Sequence, residues 1–156
     1  MPLPTPDPAR YDAQLAEKLT RFKTDFAPFD LPEPSVFASE PAHYRLRAEF
    51  RIWHHGDTLD YAMFDPENPK QPVLMADFPI GVRLIHDTMP VLKARLVADE
   101  LLKKRLYAIE FLATLSGELL VTLIYHRKLD ATWEAAARTL AAELGLIIIG
   151  RSRGQK

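Results

Sequence analysis

Two apolar runs, Leu106–Leu115 (LYAIEFLATL) and Leu119–His126 (LLVTLIYH), are separated only by SGE. Side chains on a strand alternate between faces, so both runs present apolar groups on both sides. A three-residue connection containing glycine joins antiparallel neighbours. The pair therefore reads as a hairpin near the centre of a sheet, expected to be covered on both faces. The rest of the chain must supply the flanking strands and the helices that cover them. With 156 residues and 47% hydrophobic content, it is long enough for one compact unit with a substantial core.

The stretch HYRLRAEFRIWHH, His43 to His55, has the opposite character. As a strand it puts Tyr44, Leu46, Ala48, Phe50, Ile52 and His54 on one face, and Arg45, Arg47, Glu49, Arg51 and Trp53 on the other. HHGD is a turn signal, Thr58 to Phe64 returns as a second strand, DPENPKQP reads as a loop and Val73 to Phe78 as a third strand. Upstream, four of the 13 prolines fall in the first ten residues, which read as an extended arm. Asp7 and Pro8 suit the cap and first position of an amphipathic helix from Tyr11 to Phe26. Val82 to Lys104 has helical spacing through Ile85, Met89, Leu92 and Leu96, with Pro90 expected to kink or restart it. Asp130 caps a last helix lined by Trp133, Ala137, Leu140 and Leu144, Gly145 ends it, and LIIIG follows as a short buried strand. The predicted order is α-βββ-α-ββ-α-β, an α+β fold with a mainly antiparallel sheet. The expected division is an arm and helix over 1–30, an α+β recognition domain over 31–150 and a basic tail over 151–156. That tail, GRSRGQK with the preceding glycine, carries no cap or further element and reads as an interruption.

Composition removes several kinds of chemistry. The chain has no cysteine, which excludes disulfides, thiolate metal sites and cysteine nucleophiles. His43, His54, His55, His86 and His126 have no metal-ligand spacing and are expected to be surface or core-edge residues, so no metal is predicted. Ser116 and Ser152 lie outside any nucleophile elbow, and the six glycines never form GxG, so no phosphate-cradling loop is predicted. Glu49 and Glu110 can meet in a sheet, where salt bridges to arginines are the simpler expectation. The N-terminus lacks a signal-peptide pattern and no apolar stretch is long enough for a membrane span, so a cytoplasmic location is expected.

Basic charge is local. Residues 1 to 100 hold 11 Lys and Arg against 16 Asp and Glu, whereas residues 101 to 156 hold nine against five. Arg45, Arg47 and Arg51 share a predicted strand face with Trp53, and the words KKRLY and YHRK place cations beside Tyr107 and Tyr125. Guanidinium groups bond phosphate through paired donors and aromatic rings stack on unpaired bases, so these features suit RNA. A solvated sheet edge with gatekeeping charges has the same composition.

Longer words are more specific. YDAQLAEK, HYRLRAEFRIWHHGD, DFPI, IEFLATLSGELLVTLIYHRKLDATW and IIGR, in order from Tyr11 to Arg153, resemble the N-terminal RNA-binding part of the bacterial tRNA (uracil-5-)-methyltransferases. The resemblance implies an S-adenosylmethionine-dependent family that methylates carbon 5 of the T-loop uridine of tRNA to ribothymidine. It also implies a cysteine thiolate that adds to C6 of uracil, a carboxylate base and a cofactor loop, all in a methyltransferase domain following Lys156. On that reading this chain binds the tRNA T arm, holds no cofactor and is inactive alone. Arg51, in RAEFRIW, matches an arginine the family uses on the T arm. Tyr107, in LYAIEF, stands where the family has an aromatic, expected as Phe, that stacks within the opened T loop. Arg45, Arg47, Trp53 and Lys128 are added from face and charge, while Phe50, Ile52, Phe111 and Leu123 are assigned to the core. The alternative is a protein-interaction module that docks on a separate methyltransferase domain without binding RNA independently.

Overall fold

The structure, a computed structural model, describes residues 5–65 and 68–152. A 3-10 turn at Pro8–Arg10, capped by Asp7 through the Ala9 N–H, leads into α1, Tyr11–Asp25. Strands β1 (Arg47–His55), β2 (Thr58–Asp65) and β3 (Asn68–Met75) precede α2 (Arg83–Ala98) and the short α3 (Glu100–Lys103). Strands β4 (Leu106–Ala113) and β5 (Leu119–Tyr125), helix α4 (Ala131–Leu144) and β6 (Ile147–Ser152) complete the α+β fold. The six strands form one sheet ordered β3-β2-β1-β4-β5-β6, antiparallel except for the β5–β6 pair.

The β4–β5 hairpin is internal, as its apolar runs predict, but its two faces differ. Ile109, Phe111, Val121 and Leu123 are fully buried in one cluster with Phe50, Ile52 and the apolar sides of α2 and α4. Ile85, Met89, Leu92 and Leu96 of α2, and Trp133, Ala137 and Leu140 of α4, fill that side. The opposite face is open: Leu112, Ile147 and Ile149 are 46%, 56% and 44% exposed. The expectation of cover on both sides is therefore corrected. A short antiparallel hairpin needs only one packed face, and the second apolar face here remains accessible.

Other boundaries also moved. The first strand begins at Arg47 rather than His43, because His43 takes a left-handed φ of 54° and Arg45 makes an isolated bridge to Gly81. Tyr44, predicted to face the core, is 45% exposed. His54 is exposed as well, its Nε2 lying 2.7 Å from the Leu106 carbonyl. The proline-containing segment read as a loop belongs largely to β3, which is tolerated because β3 is an edge strand and prolines there need not donate to a neighbour. Helix α2 runs through Pro90 and breaks at Asp99, whose carboxylate accepts from the Leu101 and Leu102 N–H groups at 2.9 and 3.0 Å and starts α3. Around α4 the predicted signals hold: Asp130 accepts from the Trp133 N–H at 2.9 Å, and Gly145 has a φ of 64°. Helix α1 forms where its spacing predicts but buries no residue, and the Phe22 and Phe26 rings meet tilted by 35° with centroids 4.7 Å apart. The arm before Thr5 and the tail beyond Ser152 lie outside the described residues.

Candidate nucleic-acid interface

The sheet face opposite α2 and α4 carries the polar face of β1. The ladder pairs Arg51 with Ala62 on β2 and Ala108 on β4, Glu49 with Glu110, Arg47 with Leu112, and Trp53 with Asp60. Arg47, Glu49, Arg51 and Trp53 are exposed, as the alternation predicts.

Tyr107 joins this face through an irregularity. Leu106 pairs with Tyr125 and Ala108 with Ile124, so Tyr107 is an extra residue between two consecutive pairs. A bulge of this kind re-aims a side chain that simple alternation sends elsewhere. The Tyr107 ring is stacked on His126 at 3.8 Å between centroids and 25° between planes, and the Arg51 Cζ lies 3.6 Å from its centroid. Two planar groups at those distances require opposite faces of the ring, so Tyr107 is held between an imidazole and a guanidinium. Arg51 also lies 5.9 Å from the centre of Phe64.

Beside the stack, a hollow of about 410 Å³ is lined by Tyr107, Ile124, His126, Arg151 and Ser152. A second, of about 350 Å³, shares His126 and Ser152 and adds Arg127 and Lys128. Arg127 does not offer its guanidinium to a ligand. It donates to the carbonyls of Lys104, Lys128 and Leu101 at 2.9, 3.2 and 2.7 Å, joining the ends of α3 and β5. The Ser152 hydroxyl donates to the Arg127 carbonyl at 2.5 Å, which ties β6 to the same corner. Lys103 is likewise structural: it is 8% exposed, and its ammonium donates to the Asp57 carbonyl at 2.9 Å and pairs with Glu100. The cations of KKRLY and YHRK are therefore not all available: of them Lys128 lines a hollow with an exposed side chain, as does Arg151 of β6, which also stands 3.9 Å from Glu110.

The residues singled out from the sequence thus fall in three places. Arg51 and Tyr107 touch, and Lys128 lines the adjoining hollow. Arg47 and Trp53 share the face with Arg51 through the strand register. Arg45 stands before β1, its Nε donating to the Arg47 carbonyl at 3.1 Å, beside a separate cavity. His126, Arg151 and Phe64 were not singled out for this site. His126 was visible next to Tyr125 in YHRK, but its meeting with Tyr107 depends on the bulge.

Elsewhere, His55 and Lys93 both bond Asp60, His55 at 2.5 Å. Burial alone raises the Asp60 carboxyl pKa, but the bonds and charges of Lys93 and His55 outweigh it and hold the group below its ordinary value. Among the described residues no three or more His, Cys, Asp or Glu side chains stand together as a metal site, and no helix is long and apolar enough to cross a membrane.

Comparison with known proteins agrees with the resemblance. The family model described as tRNA (Uracil-5-)-methyltransferase matches residues 10–156. A tRNA/tmRNA (uracil-C(5))-methyltransferase of Azoarcus sp. (strain BH72) is 63% identical over all 156 residues, which cover 43% of that protein. Proteins of the same description from Aromatoleum aromaticum and Azotobacter vinelandii are 62% and 54% identical over the whole chain, which covers 42% and 43% of their lengths. The chain spans less than half the length of these relatives. With the match running from residue 10 to residue 156, the chain belongs to the tRNA (uracil-5-)-methyltransferase family.

Proposed function

We propose that this chain is the tRNA-binding, substrate-recognition portion of a tRNA (uracil-5-)-methyltransferase that makes ribothymidine in the T loop, working in the cytoplasm. The observation that carries the reading is the Arg51–Tyr107–His126 stack on the sheet face opposite α2 and α4, with exposed Lys128 and Arg151 beside it. A uridine folded into a loop must leave its stack before it can be methylated, and a protein ring that stacks on an opened base offsets part of that cost. Arg47, Arg51, Lys128 and Arg151 supply charge for the phosphates, and Tyr107 supplies the ring once the Arg51 guanidinium leaves its face for a phosphate and an opened base takes that place. Trp53 extends the aromatic surface along β1.

Catalysis is assigned to the part of the longer relatives that this chain does not span. The family's thiolate addition to uracil has no thiol here, since the sequence contains no cysteine. The chain's residues also do not fit S-adenosylmethionine. Its glycines stand singly, and the two packed within the fold, Gly81 and Gly150, face Phe78 and Trp133 rather than a cradle.

The test is fluorescence anisotropy of the chain with a T-arm hairpin and a scrambled hairpin of equal length, at several salt concentrations. Preference for the T arm that persists as salt rises supports the reading; equal and steeply salt-dependent binding refutes it. Tyr107→Ala is expected to weaken T-arm binding by about 1–3 kcal/mol, the usual worth of a base-stacking ring. A variant that binds like the parent removes Tyr107 from the interface.

A second reading, docking on a separate methyltransferase domain with no independent RNA binding, is favoured by the exposed Leu112, Ile147 and Ile149. Light scattering after size exclusion separates the two, because such a docking face drives self-association and a clean monomer counts against it.

A further inference from the structure

Lys104, Arg105 and Lys128 are exposed cations at one corner of the fold, and none of their side chains has a hydrogen-bond or ion-pair partner among the described residues. Arg127 draws their segments together. Its guanidinium bonds the carbonyls of both Lys104 and Lys128, so the α3–β4 turn and the end of β5 are tied to one side chain. The Arg105 carbonyl accepts from the His126 N–H at 3.0 Å, which fixes the third cation's backbone against the same segment. The acidic groups nearby in the chain are engaged elsewhere. Asp99 accepts from the Leu101 and Leu102 N–H groups, Glu100 pairs with Lys103, and Asp130 accepts from the Trp133 N–H. Like charges gathered without neutralising carboxylates repel one another, and an anion bound among them removes that cost.

The backbone supplies an independent observation. Lys104 has φ −58° and ψ 113°, and Arg105 follows with φ 57°, as at the two central positions of a type II turn. The second of those positions favours glycine or asparagine, because a Cβ is crowded at positive φ. The turn from α3 into β4 accounts for the left-handed backbone, but not for the arginine that occupies it. His43, the other described residue besides glycine with positive φ, differs in this respect: its Nδ1 lies 2.8 Å from the Gly81 carbonyl, so its side chain holds the local structure together. The Arg105 side chain holds nothing in the fold. A strained residue whose side chain has no structural partner points to a ligand.

That ligand adjoins the Tyr107 stack. Arg105 and Tyr107 are two residues apart, with Cα atoms no more than about 7 Å from each other. His126, bonded through its backbone to Arg105, is the residue stacked on the Tyr107 ring. Several flexible cations at an exposed corner suit a run of phosphates, which they hold without reading sequence. We propose that Lys104, Arg105 and Lys128 hold the sugar-phosphate backbone of the RNA strand beside the base that Tyr107 receives. The RNA in this proposal rests on the function proposed above, whereas the clamp itself is indifferent to sequence.

The experiment measures anisotropy of the T-arm hairpin and the scrambled hairpin over a salt series, with the whole chain and its Arg105→Gln, Arg105→Gly and Arg138→Gln variants. Losing one phosphate contact lowers the slope of log affinity against log salt by about 0.7–0.9, so Arg105→Gln is expected to weaken both hairpins alike, about five- to eightfold at about 0.1 M salt relative to about 1 M. Arg138→Gln removes the same charge from α4, where the side chain pairs with Glu134, and is expected to leave both isotherms unchanged. Arg105→Gly is expected to bind as weakly as Arg105→Gln yet melt about 2–4 °C above the parent, because glycine relieves the left-handed backbone. Parent-like binding by Arg105→Gln, an equal loss in Arg138→Gln, or a glycine variant that melts no higher than the parent would overturn the inference. The two hairpins keep it apart from the T-arm reading. T-arm preference with an unaffected Arg105→Gln removes only the clamp, equal binding of both hairpins that Arg105→Gln weakens keeps the clamp and removes the T-arm reading, and no binding of either hairpin removes both.

Discussion

Replacing Gly150 with alanine tests whether β6, which carries Arg151 and Ser152 to the site, is positioned by contact with α4. A Cβ built at Gly150 lies 2.2 Å from Trp133 Cη2, 2.4 Å from Trp133 Cζ3 and 2.7 Å from Leu129 Cδ1, where ordinary contacts begin at 3.4 Å. Either the indole or the strand must move by about 1 Å. Neither has much freedom. Trp133 is 6% exposed and packs edge-on against the buried Tyr125 at 5.5 Å, while β6 is hydrogen-bonded in register to β5. Overpacking of this kind costs about 1–3 kcal/mol. In a chain of this size each kcal/mol lowers the melting temperature by about 2–4 °C, so a fall of about 2–12 °C is expected. Thermal unfolding followed by circular dichroism reads the shift, and the same melts on Trp133→Leu and on the double variant read its cause. Once the indole is gone the alanine has room, so the two changes are expected to be less costly together than their sum by about 1 kcal/mol or more. A Gly150→Ala protein that melts with the parent, or effects that add, would refute the close-contact account of β6.

Three further outcomes follow from the geometry. Tyr125→Phe removes a buried hydroxyl that donates to the Leu102 carbonyl at 2.8 Å; a loss of about 1–2 kcal/mol is expected in urea denaturation, and an unchanged midpoint would show that the bond contributes nothing. Asp60 has a depressed folded-state pKa, so its contribution is present above the ordinary value of 3.8 and is lost as pH falls through the lower folded value. The stability gap between the parent and Asp60→Asn should therefore narrow as denaturation is repeated from pH 6 down to about pH 3, and a constant gap would exclude the linkage. Asp99→Ala removes the acceptor for two backbone N–H groups at the break between α2 and α3, with an expected cost of about 1 kcal/mol in the same assay.

Local signals carried much of the architecture. The Asp130 cap, the left-handed Gly145, the α2 stripe and the alternation in RAEFRIW all act within a few residues, and each appears where the sequence places it. Signals that depend on position in the sheet were less legible. Prolines argue against a strand unless it lies at an edge, and nothing within NPKQPVLM shows that β3 is one. Likewise, Pro90 is a plausible break by its chemistry, yet α2 ends only where the Asp99 side chain captures the next two N–H groups.

For the candidate site, Arg51 and Tyr107 were accessible through the resemblance, and the Arg47, Arg51 and Trp53 face through period-two alternation. Their sequence context could not show that Arg127 and Lys103 are consumed by main-chain carbonyls, because those partners come from other elements. Nor could it show His126 against Tyr107, since that contact requires the extra residue in β4 that breaks the alternation.

The sequence by itself determined the secondary-structure order, most of the core and the absence of thiol chemistry, because capping, periodicity and residue type are local properties. Only the tertiary structure decided which sheet face stays open, which cations remain free and which ring lies between Arg51 and His126. Those outcomes depend on strand order, one irregular register and contacts between residues far apart in the chain, where no local pattern reaches.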